Sequence, residues 1–442
     1  MKEVISIVEH LRRSARYPAV APTLHEKSQV NSDDCASKRI FIYNLPEKFN
    51  EDLLRNCRTL SPFQDMCEFL SNSGMGKLID TSSSLRDAEI VYPSGVWHTT
   101  HQYALEVLFH ERLKQYKCLS SPDVADLFYI PYYGGLDVMR WHFVENISNS
   151  QKDQLGQELV NWLREQPAWQ RRRGLDHVLV LGKITWDFRR PPEDGASWGS
   201  SLLWKDEMAN ITKLLIEREP WQKNEVGIPH PTFFHPRSDM DVKAWQNHAA
   251  SQKRRFLVSF AGQGRPNQPE SIRSELIRQC LVSSKKKQIN MNSSCHFLNC
   301  TGFRCDDPTI TMKVFLESEF CMQPSGDSPT RRSVFDSLIS GCIPVLFDPF
   351  SAYFQYPWHL PEDSKSYSVF FRAEDVKAGK IDLIKELRRI PAVTREEMRL
   401  RIIHDIMPGL VYARPDARLE EADDAFVISL KSLFARVSQR SS

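Results

Sequence analysis

The sequence of 442 residues lacks the features of membrane spans, zinc sites and nucleic-acid binders. No window holds the roughly 18 consecutive apolar residues that a membrane-spanning helix needs, and residues 1–34 lack the apolar core of a signal peptide. No CxxC pair occurs, so the sequence predicts no zinc site. Lysine and arginine number 58 against 56 acidic residues, a balance that favours no general nucleic-acid partner. The sequence as given therefore predicts a soluble chain that binds no nucleic acid.

Cysteine is present in an even number, ten in all. Such residues are typical of either disulfides or buried thiols, and the sequence leaves both open. Four N-x-S/T sequons also occur, where about two are expected by chance. Together the even cysteine count and the sequons favour the secretory lumen. The sequons begin at Asn146, Asn210, Asn292 and Asn299.

Strand-like and helix-like segments alternate along the chain. Apolar runs that end in a breaker lie at 39–43, 126–131 and 177–182, with helical patterns at 99–117 and 151–166 between them. This order predicts a parallel, doubly wound α/β sheet. A second series follows, with a strand at 255–260, a helix at 270–283 and helices from 394 to near Val437.

The predicted organisation has four parts, and ligands of such folds usually bind in the cleft between two α/β units. Residues 227–241, rich in proline and aromatics, are predicted to be an extended link over the surface. The parts are a stem at 1–37, an N-terminal domain at 38–240, a C-terminal domain at 241–393 and terminal helices at 394–442.

The segment 319–350 predicts a strand, an anion-binding loop, a helix and a second strand. Ser328 is expected to cap the helix with Pro329 at its first position, and Gly341 to end it. N–H groups at the helix start favour a phosphate. Asp336 then lies about 10 Å along the axis, a distance that suits a ribose. The candidate diphosphate contacts are Ser325, Gly326, Asp327, Ser328, Thr330, Arg331 and Arg332.

A second loop follows the strand at 255–260, where Gly262 and Gly264 form a turn before Arg265. Two glycines alone are weak evidence of phosphate binding. Beside the loop at 324–330 they predict an opposite wall of one donor site, with Arg265 reaching the phosphates. The alternative for the helix after Pro329 is an ordinary capped amphipathic helix whose arginines face solvent.

Several segments in one order resemble the plant xyloglucan galactosyltransferase branch of the exostosin-like glycosyltransferases. They span roughly residues 38–390, and such a series is more specific than a single motif. In the wider family a glutamate commonly follows the arginines of the donor helix, where this chain has Asp336. The segments are IFIYNLPEKFN at 40–50, the stretch at 103–137, RGLDHVLVLGKITWDFRR at 173–190, IPHPTFFHP at 228–236, RFLVSFAGQGR at 255–265 and FCMQPSGDSPTRRSVFDSLISGCIPVLF at 320–347.

The resemblance implies a GT-B type fold, with the acceptor held by the N-terminal domain and the UDP-sugar by the C-terminal one. It also implies inverting transfer without a bound metal or other cofactor. Such enzymes are type II membrane proteins of the Golgi, and the sequence as given shows no anchor. The expected reaction moves galactose from UDP-galactose onto xylosyl side chains of xyloglucan. The alternatives are another UDP-sugar, such as arabinopyranose or galacturonic acid, or a non-catalytic carbohydrate-binding partner; other Golgi glycosyltransferases are candidate partners.

Inverting transfer needs a base for the acceptor hydroxyl. One candidate is Asp187, within KITWDFRR, where Arg189 or Arg190 is expected to pair with its carboxylate. The other is Asp137, just past a predicted strand; for each the alternative is a structural carboxylate. His98, His142 and His235 are further options. Asp239 and Asp241 form a D-x-D pair, which is expected to be a solvated turn. Tyr132, Tyr133, Trp97, Trp141 and Trp186 are candidate sugar-stacking aromatics, of which most are expected in the core.

Overall fold

The computed structural model describes residues 35–80, 89–191, 198–265, 267–268, 270–285 and 294–441. Nearly all of the predicted stem at 1–37 lies outside these residues, as does the sequon at Asn292. In the part of the chain that the structure describes, no helix is long and apolar enough to cross a membrane.

The apolar runs form two separate parallel sheets of five strands each. This arrangement confirms the predicted GT-B type of α/β fold. Strands of the first sheet are β1 (Ile40–Ile42), β2 (Leu127–Ile130), β3 (His177–Ile184), β4 (Thr212–Glu217) and β5 (Glu225–Gly227). Strands of the second sheet are β6 (Phe256–Gly262), β7 (Cys295–Asn299), β8 (Ser318–Gln323), β9 (Ile343–Leu346) and β10 (Val369–Phe370).

The two sheets differ in strand order. In the first sheet the order is sequential, from β1 to β5, among the described residues. In the second sheet the order is β10-β9-β8-β6-β7, so the chain passes from β6 to one side and returns at β8 on the other. Ligands of open parallel sheets bind outside the carboxyl ends of strands where the order reverses. The loops after β6 and β8 therefore flank the expected binding crevice.

Helices cover both faces of the first sheet, as buried parallel strands require. The predicted helix at 151–166 is confirmed at 149–164, whereas that at 99–117 is shorter than expected, at 105–114. The helices are α1 (Glu51–Arg55), α2 (Met66–Leu70), α3 (Leu105–Lys114), α4 (Gly134–Met139), α5 (Asn149–Arg164), α6 (Pro167–Arg172), α7 (Asp239–Ser251), α8 (Ile272–Lys285), α9 (Pro308–Leu316), α10 (Arg332–Ile339), α11 (Ala373–Lys377), α12 (Leu383–Arg389), α13 (Ala392–Arg401) and α14 (Ala425–Ser441).

The last helix returns to the first sheet. Phe426 and Leu433 of α14 lie in one apolar cluster with Val180 of β3 and Leu214 of β4. The predicted terminal helices are thus present, and α14 extends slightly beyond the expected end near Val437. The C-terminal helix α14 therefore packs on the N-terminal sheet and connects the two halves of the chain.

The segment predicted as a surface link is buried, so that part of the prediction is wrong. Between β5 and α7 it has no regular structure, as expected, but residues 227–236 are all buried. The ring of Phe234 lies 5.1 Å from that of Trp97, and a hydrogen bond of 2.7 Å joins His235 Nε2 and Thr100 Oγ1. Its aromatics Phe233 and Phe234 lie in the apolar cluster of the second sheet, which explains the burial.

All ten cysteines form disulfides, which decides between the two alternatives left by the sequence. Disulfides persist in oxidising compartments and are rare in the cytosol. The pairs are Cys35–Cys118, Cys57–Cys67, Cys280–Cys295, Cys300–Cys305 and Cys321–Cys342.

Candidate active site

Two loops meet at the point where the strand order of the second sheet reverses. The first follows Gly262 at the end of β6, and the second follows Gln323 at the end of β8. Arg265 of the first loop forms an ion pair with Asp327 of the second. The structure therefore brings the two predicted walls together.

Three guanidinium groups converge on these loops. Arg331 donates to the carbonyl oxygens of Pro324 and Ala261 at 3.3 and 3.2 Å. Arg273, on α8, donates to the main-chain oxygen of Ser325 at 3.1 Å. Burial, together with the charges of Arg273 and Arg265, lowers the pKa of Arg331 to about 9. A bound anion would relieve this repulsion, so we define the arginine cluster as Arg265, Arg273 and Arg331.

The start of the donor helix differs from the prediction. Helix α10 begins at Arg332, with Arg331 in an extended conformation at the N-cap and no side-chain cap. Ser328 does not cap it, and Pro329 is not its first residue. The Ser328 hydroxyl donates instead to Glu217 at 2.6 Å, which holds the loop outside the helix. Gly341 follows the helix with a φ of +67°, as expected for its end.

The predicted phosphate contacts divide into two groups. Ser325 and Gly326 lie at the arginine cluster. The Gly326 N–H donates a hydrogen bond of 2.9 Å to the Ser328 carbonyl oxygen within the loop. The Asp327 side chain is 97% exposed and pairs only with Arg265 among the described residues. Ser328 and Thr330 lie instead against Glu217.

Arg332 does not join the arginine cluster. Its guanidinium lies 3.4 Å from the ring centroid of Phe233 and donates to the Thr100 carbonyl. Its Nε atom lies 3.3 Å from Asp336 Oδ2. Arg332 therefore connects α10 to the first half of the chain, a role that the sequence did not predict.

Asp336 is buried on α10 and keeps one carboxylate oxygen, Oδ1, without a hydrogen-bond partner among the described residues. Burial raises its pKa to about 6, although Arg332 opposes the shift. Because the helix starts at Arg332, Asp336 lies about 6 Å along the axis rather than about 10 Å. The free oxygen suits a ribose hydroxyl, and that role stays a prediction.

Asp187 lies directly after β3 and is buried. Its Oδ2 atom lies 3.2 Å from Lys183 Nζ, and its Oδ1 atom accepts a hydrogen bond of 2.7 Å from Trp198 Nε1. Both oxygens of this candidate base are therefore engaged, one by a buried cation and one by an indole.

The prediction that Asp187 pairs with Arg189 or Arg190 is wrong. Arg189 pairs with Glu225, and Arg190 pairs with Asp153. Both arginines follow the same turn, but their side chains reach neighbouring elements. The cation that faces Asp187 comes from within β3, four residues earlier, which the pattern of adjacent charges did not indicate.

Asp137, the second candidate base, lies in the first turn of α4 with 1% of its surface exposed. Tyr132 donates to its Oδ2 atom at 2.5 Å, and Arg140 pairs with its Oδ1 atom. Burial raises the pKa of Asp137, and the two donors oppose that shift. These contacts are those of a structural carboxylate.

The histidine options are buried and neutral near pH 7. Burial lowers the pKa of His98 to about 4 and the pKa values of His142 and His235 to about 3. His235 bonds through both ring nitrogens to Thr100 and Tyr412. These contacts argue for structural roles.

The D-x-D pair forms the first turn of α7 rather than a solvated turn. Asp239 accepts hydrogen bonds from the main-chain N–H groups of Glu420 and Glu421, and Asp241 pairs with Arg237. Tertiary partners therefore use both carboxylates.

The expected aromatic platform is mostly core. Trp97, Tyr132 and Tyr133 are buried, as most of the five were expected to be, whereas Trp186 is 52% exposed. A different group of rings is exposed next to Asp187. Phe143 lies 4.7 Å from Phe63 and 6.0 Å from Trp198, measured between ring centroids. We call Phe63, Phe143 and Trp198 the exposed aromatic cluster.

Glu217 is the main residue that sequence reasoning missed. It is the last residue of β4 and is 1% exposed. Its Oε2 atom accepts hydrogen bonds from Ser328 Oγ at 2.6 Å, Thr330 Oγ1 at 2.5 Å and Thr330 N at 2.8 Å. Burial raises its pKa, and these donors oppose that shift. A carboxylate of the first sheet thus reaches the donor loop of the second.

Comparison with known families agrees with this geometry. The model of the exostosin GT47 domain matches residues 34–387. The chain belongs to the exostosin GT47 family. The matched residues include both sheets and both of the loops that flank the crevice.

Two relatives of this exostosin GT47 chain come from Arabidopsis thaliana. Xyloglucan-specific galacturonosyltransferase 1 is 48% identical over 406 residues, which cover 92% of this chain and 58% of the relative. Xyloglucan galactosyltransferase MUR3 is 42% identical over 409 residues, covering 92% of this chain and 64% of the relative. The chain thus spans roughly three fifths of the length of these relatives.

Among solved structures, a sucrose-phosphate synthase from Thermosynechococcus elongatus aligns over 77% of this chain and 79% of its own, at 12% identity and a TM-score of 0.35. This similarity is too low to support an argument. The fold of the exostosin GT47 chain is assigned from its own two sheets.

Proposed function

We propose that this chain is an inverting glycosyltransferase that moves galactose from UDP-galactose onto xylosyl side chains of xyloglucan. The observation that carries the proposal is the arginine cluster at the point where the strand order reverses. Family membership and the names of the relatives support the same reaction.

On the donor side, the arginine cluster and Asp336 would hold UDP. Charge builds on the diphosphate as the sugar leaves, and fixed cations stabilise it in the transition state. Arg331 and Arg273 already lie along the loop carbonyls, so they need little reordering. We expect the cluster to supply this stabilisation without a bound metal.

On the acceptor side, the exposed aromatic cluster would hold the glucan. Flat aromatic faces stack on sugar rings while polar edges remain in water. Phe143 and Phe63 are 55% and 60% exposed, which is unusual for phenylalanine, and Trp198 donates to Asp187. The cluster therefore lies beside Asp187, on the side of the first sheet.

Galacturonic acid is the second candidate for the transferred sugar. The specific observation in its favour is the 48% identity to a protein named as a galacturonosyltransferase. Galactose and galacturonic acid differ only at the exocyclic carbon. The fold, the diphosphate contacts and the acceptor are the same for both.

For location we propose the Golgi lumen. Five disulfides suit an oxidising compartment. Sequons at Asn146 and Asn299 lie on exposed residues, where a glycan would meet no obstacle from the core. Other Golgi glycosyltransferases are proposed partners.

The test measures UDP release from a panel of UDP-sugars, with and without xyloglucan oligosaccharides, in the presence of EDTA. We expect release from UDP-galactose only when the acceptor is present. A preference for UDP-galacturonic acid would move the proposal to the second candidate. UDP binding without release from any sugar would contradict catalysis and favour a non-catalytic carbohydrate-binding protein.

A further inference from the structure

Glu217 occupies a position that matters for both halves of the reaction. It ends β4, the neighbour of β3, and the turn after β3 carries Asp187. The carboxyl ends of parallel strands form the ligand edge of such sheets. Glu217 also contacts the loop that follows β8 in the other sheet. It therefore lies where an acceptor hydroxyl must meet a sugar held by the donor loop.

The hydrogen bonds of Glu217 are one-sided. All three donors from Ser328 and Thr330 reach its Oε2 atom. Its Oε1 atom is buried and has no hydrogen-bond partner among the described residues. A buried oxygen that accepts no hydrogen bond lowers the stability of the fold, so such an atom is expected to have a functional role. One oxygen holds the side chain in place, and the other is free to accept a proton.

The two carboxylates that the sequence favoured lack this free oxygen. Asp187 engages Lys183 and Trp198, one through each oxygen. Asp137 engages Tyr132 and Arg140 in the same way. Glu217, by contrast, forms no ion pair within the described part of the chain. A base with no adjacent cation keeps more of its proton affinity.

We propose that Glu217 is the base that accepts the proton of the acceptor hydroxyl, and this inference rests on the proposed function. The hydroxyl oxygen forms the new bond to the anomeric carbon of the sugar. The bond between that carbon and the β-phosphate oxygen breaks, and its electron pair leaves with UDP. The proton passes to Glu217 Oε1 and is later lost to water. Ser328 and Thr330 are positioning residues that aim the carboxylate.

A different role for the same contacts leads to opposite results. The Glu217 carboxylate could stand where a donor phosphate binds to Ser328 and Thr330, so that UDP must displace it. Neutralising the side chain would then tighten UDP binding and leave turnover intact. The base role predicts the reverse for both quantities.

The experiment compares Glu217→Gln with Glu219→Gln, a matched control two residues further along whose side chain forms no hydrogen bond to Ser328 or Thr330 among the described residues. The glutamine oxygen can still accept from Ser328 and Thr330, so the fold is expected to persist. We expect kcat for transfer to fall about a hundredfold or more. The UDP Kd and the melting temperature should stay near those of the unchanged protein. The control should match the unchanged protein in all three quantities.

The pH profile of kcat distinguishes a base from a structural residue, because loss of a purely structural side chain would leave its shape unchanged. If Glu217 is the base, the acid limb of kcat in the unchanged protein disappears from the residual activity of Glu217→Gln. Retained turnover together with tighter UDP binding would overturn the base role while leaving the proposed function intact. If the unchanged protein transfers no sugar to any acceptor, the proposed function itself fails.

Discussion

Replacing Arg331 by glutamine should weaken UDP binding without unfolding the protein. The arginine donates to the Pro324 and Ala261 carbonyls at 3.3 and 3.2 Å, and the shorter glutamine keeps a donor group near them. The change also removes one of three clustered charges, which offsets lost hydrogen bonds. We therefore expect a nearly unchanged melting temperature for the unliganded protein.

The expected loss of affinity follows from the bonds to the diphosphate. A hydrogen bond to a charged group contributes about 1.5–3 kcal/mol, so the UDP Kd should rise about 10- to 150-fold. Calorimetric titration with UDP and with uridine measures this, because uridine lacks the diphosphate and its affinity should not change. Asp327→Asn removes the carboxylate that pairs with Arg265 and should tighten UDP binding by up to about fivefold.

The control is Arg278→Gln, which changes the net charge equally but lies outside the cluster, where Arg278 pairs with Glu275 on α8. It should leave the UDP Kd unchanged. Equal small effects from Arg331→Gln and Arg278→Gln would refute a diphosphate site at the arginine cluster. A large fall in melting temperature for Arg331→Gln would show that the side chain mainly holds the loop.

Three further results are expected. Asp187→Asn leaves Lys183 buried without its carboxylate, which should destabilise the protein by about 3–5 kcal/mol in chemical denaturation; lost turnover at unchanged stability would instead make Asp187 the base. Burial raises the pKa of Glu106 from 4.5 to about 8, so its stabilising contribution is complete below about pH 4.5 and is lost as the pH rises through about 8. Glu106→Gln should therefore flatten the decline of melting temperature between these pH values, and an unchanged profile would contradict the shift. Phe143→Ala should raise KM for xyloglucan oligosaccharides about twofold to tenfold at constant UDP Kd, and an unchanged KM would place the acceptor elsewhere.

The sequence predicted what depends on local pattern. The apolar run at 177–182 became β3, and the helical period at 151–166 became α5 within two residues at each end. Gly341 follows the end of its helix because the backbone there adopts the left-handed conformation, which glycine tolerates best. The two loops of the crevice were also identified, since each follows an apolar strand.

Contacts between distant segments account for the errors. Ser328 would cap a helix if its hydroxyl were free, but Glu217, 111 residues earlier, takes that hydroxyl. The predicted link at 227–241 has the composition of a surface loop, yet its aromatics are buried in the C-terminal core around Trp245. Arg273 carries no local sign of its role, because only the strand order brings it to Ser325. Such pairings are fixed by topology rather than by periodicity.

The most direct test of the proposed function is analysis of the product formed from UDP-galactose and a xyloglucan oligosaccharide that carries bare xylosyl branches. We expect a mass gain of one hexose that a β-galactosidase removes, because inverting transfer turns the α-linked donor sugar into a β-linked product. A product resistant to β-galactosidase but cleaved by an α-galactosidase would contradict inversion, and no mass gain with any UDP-sugar would contradict the transferase itself.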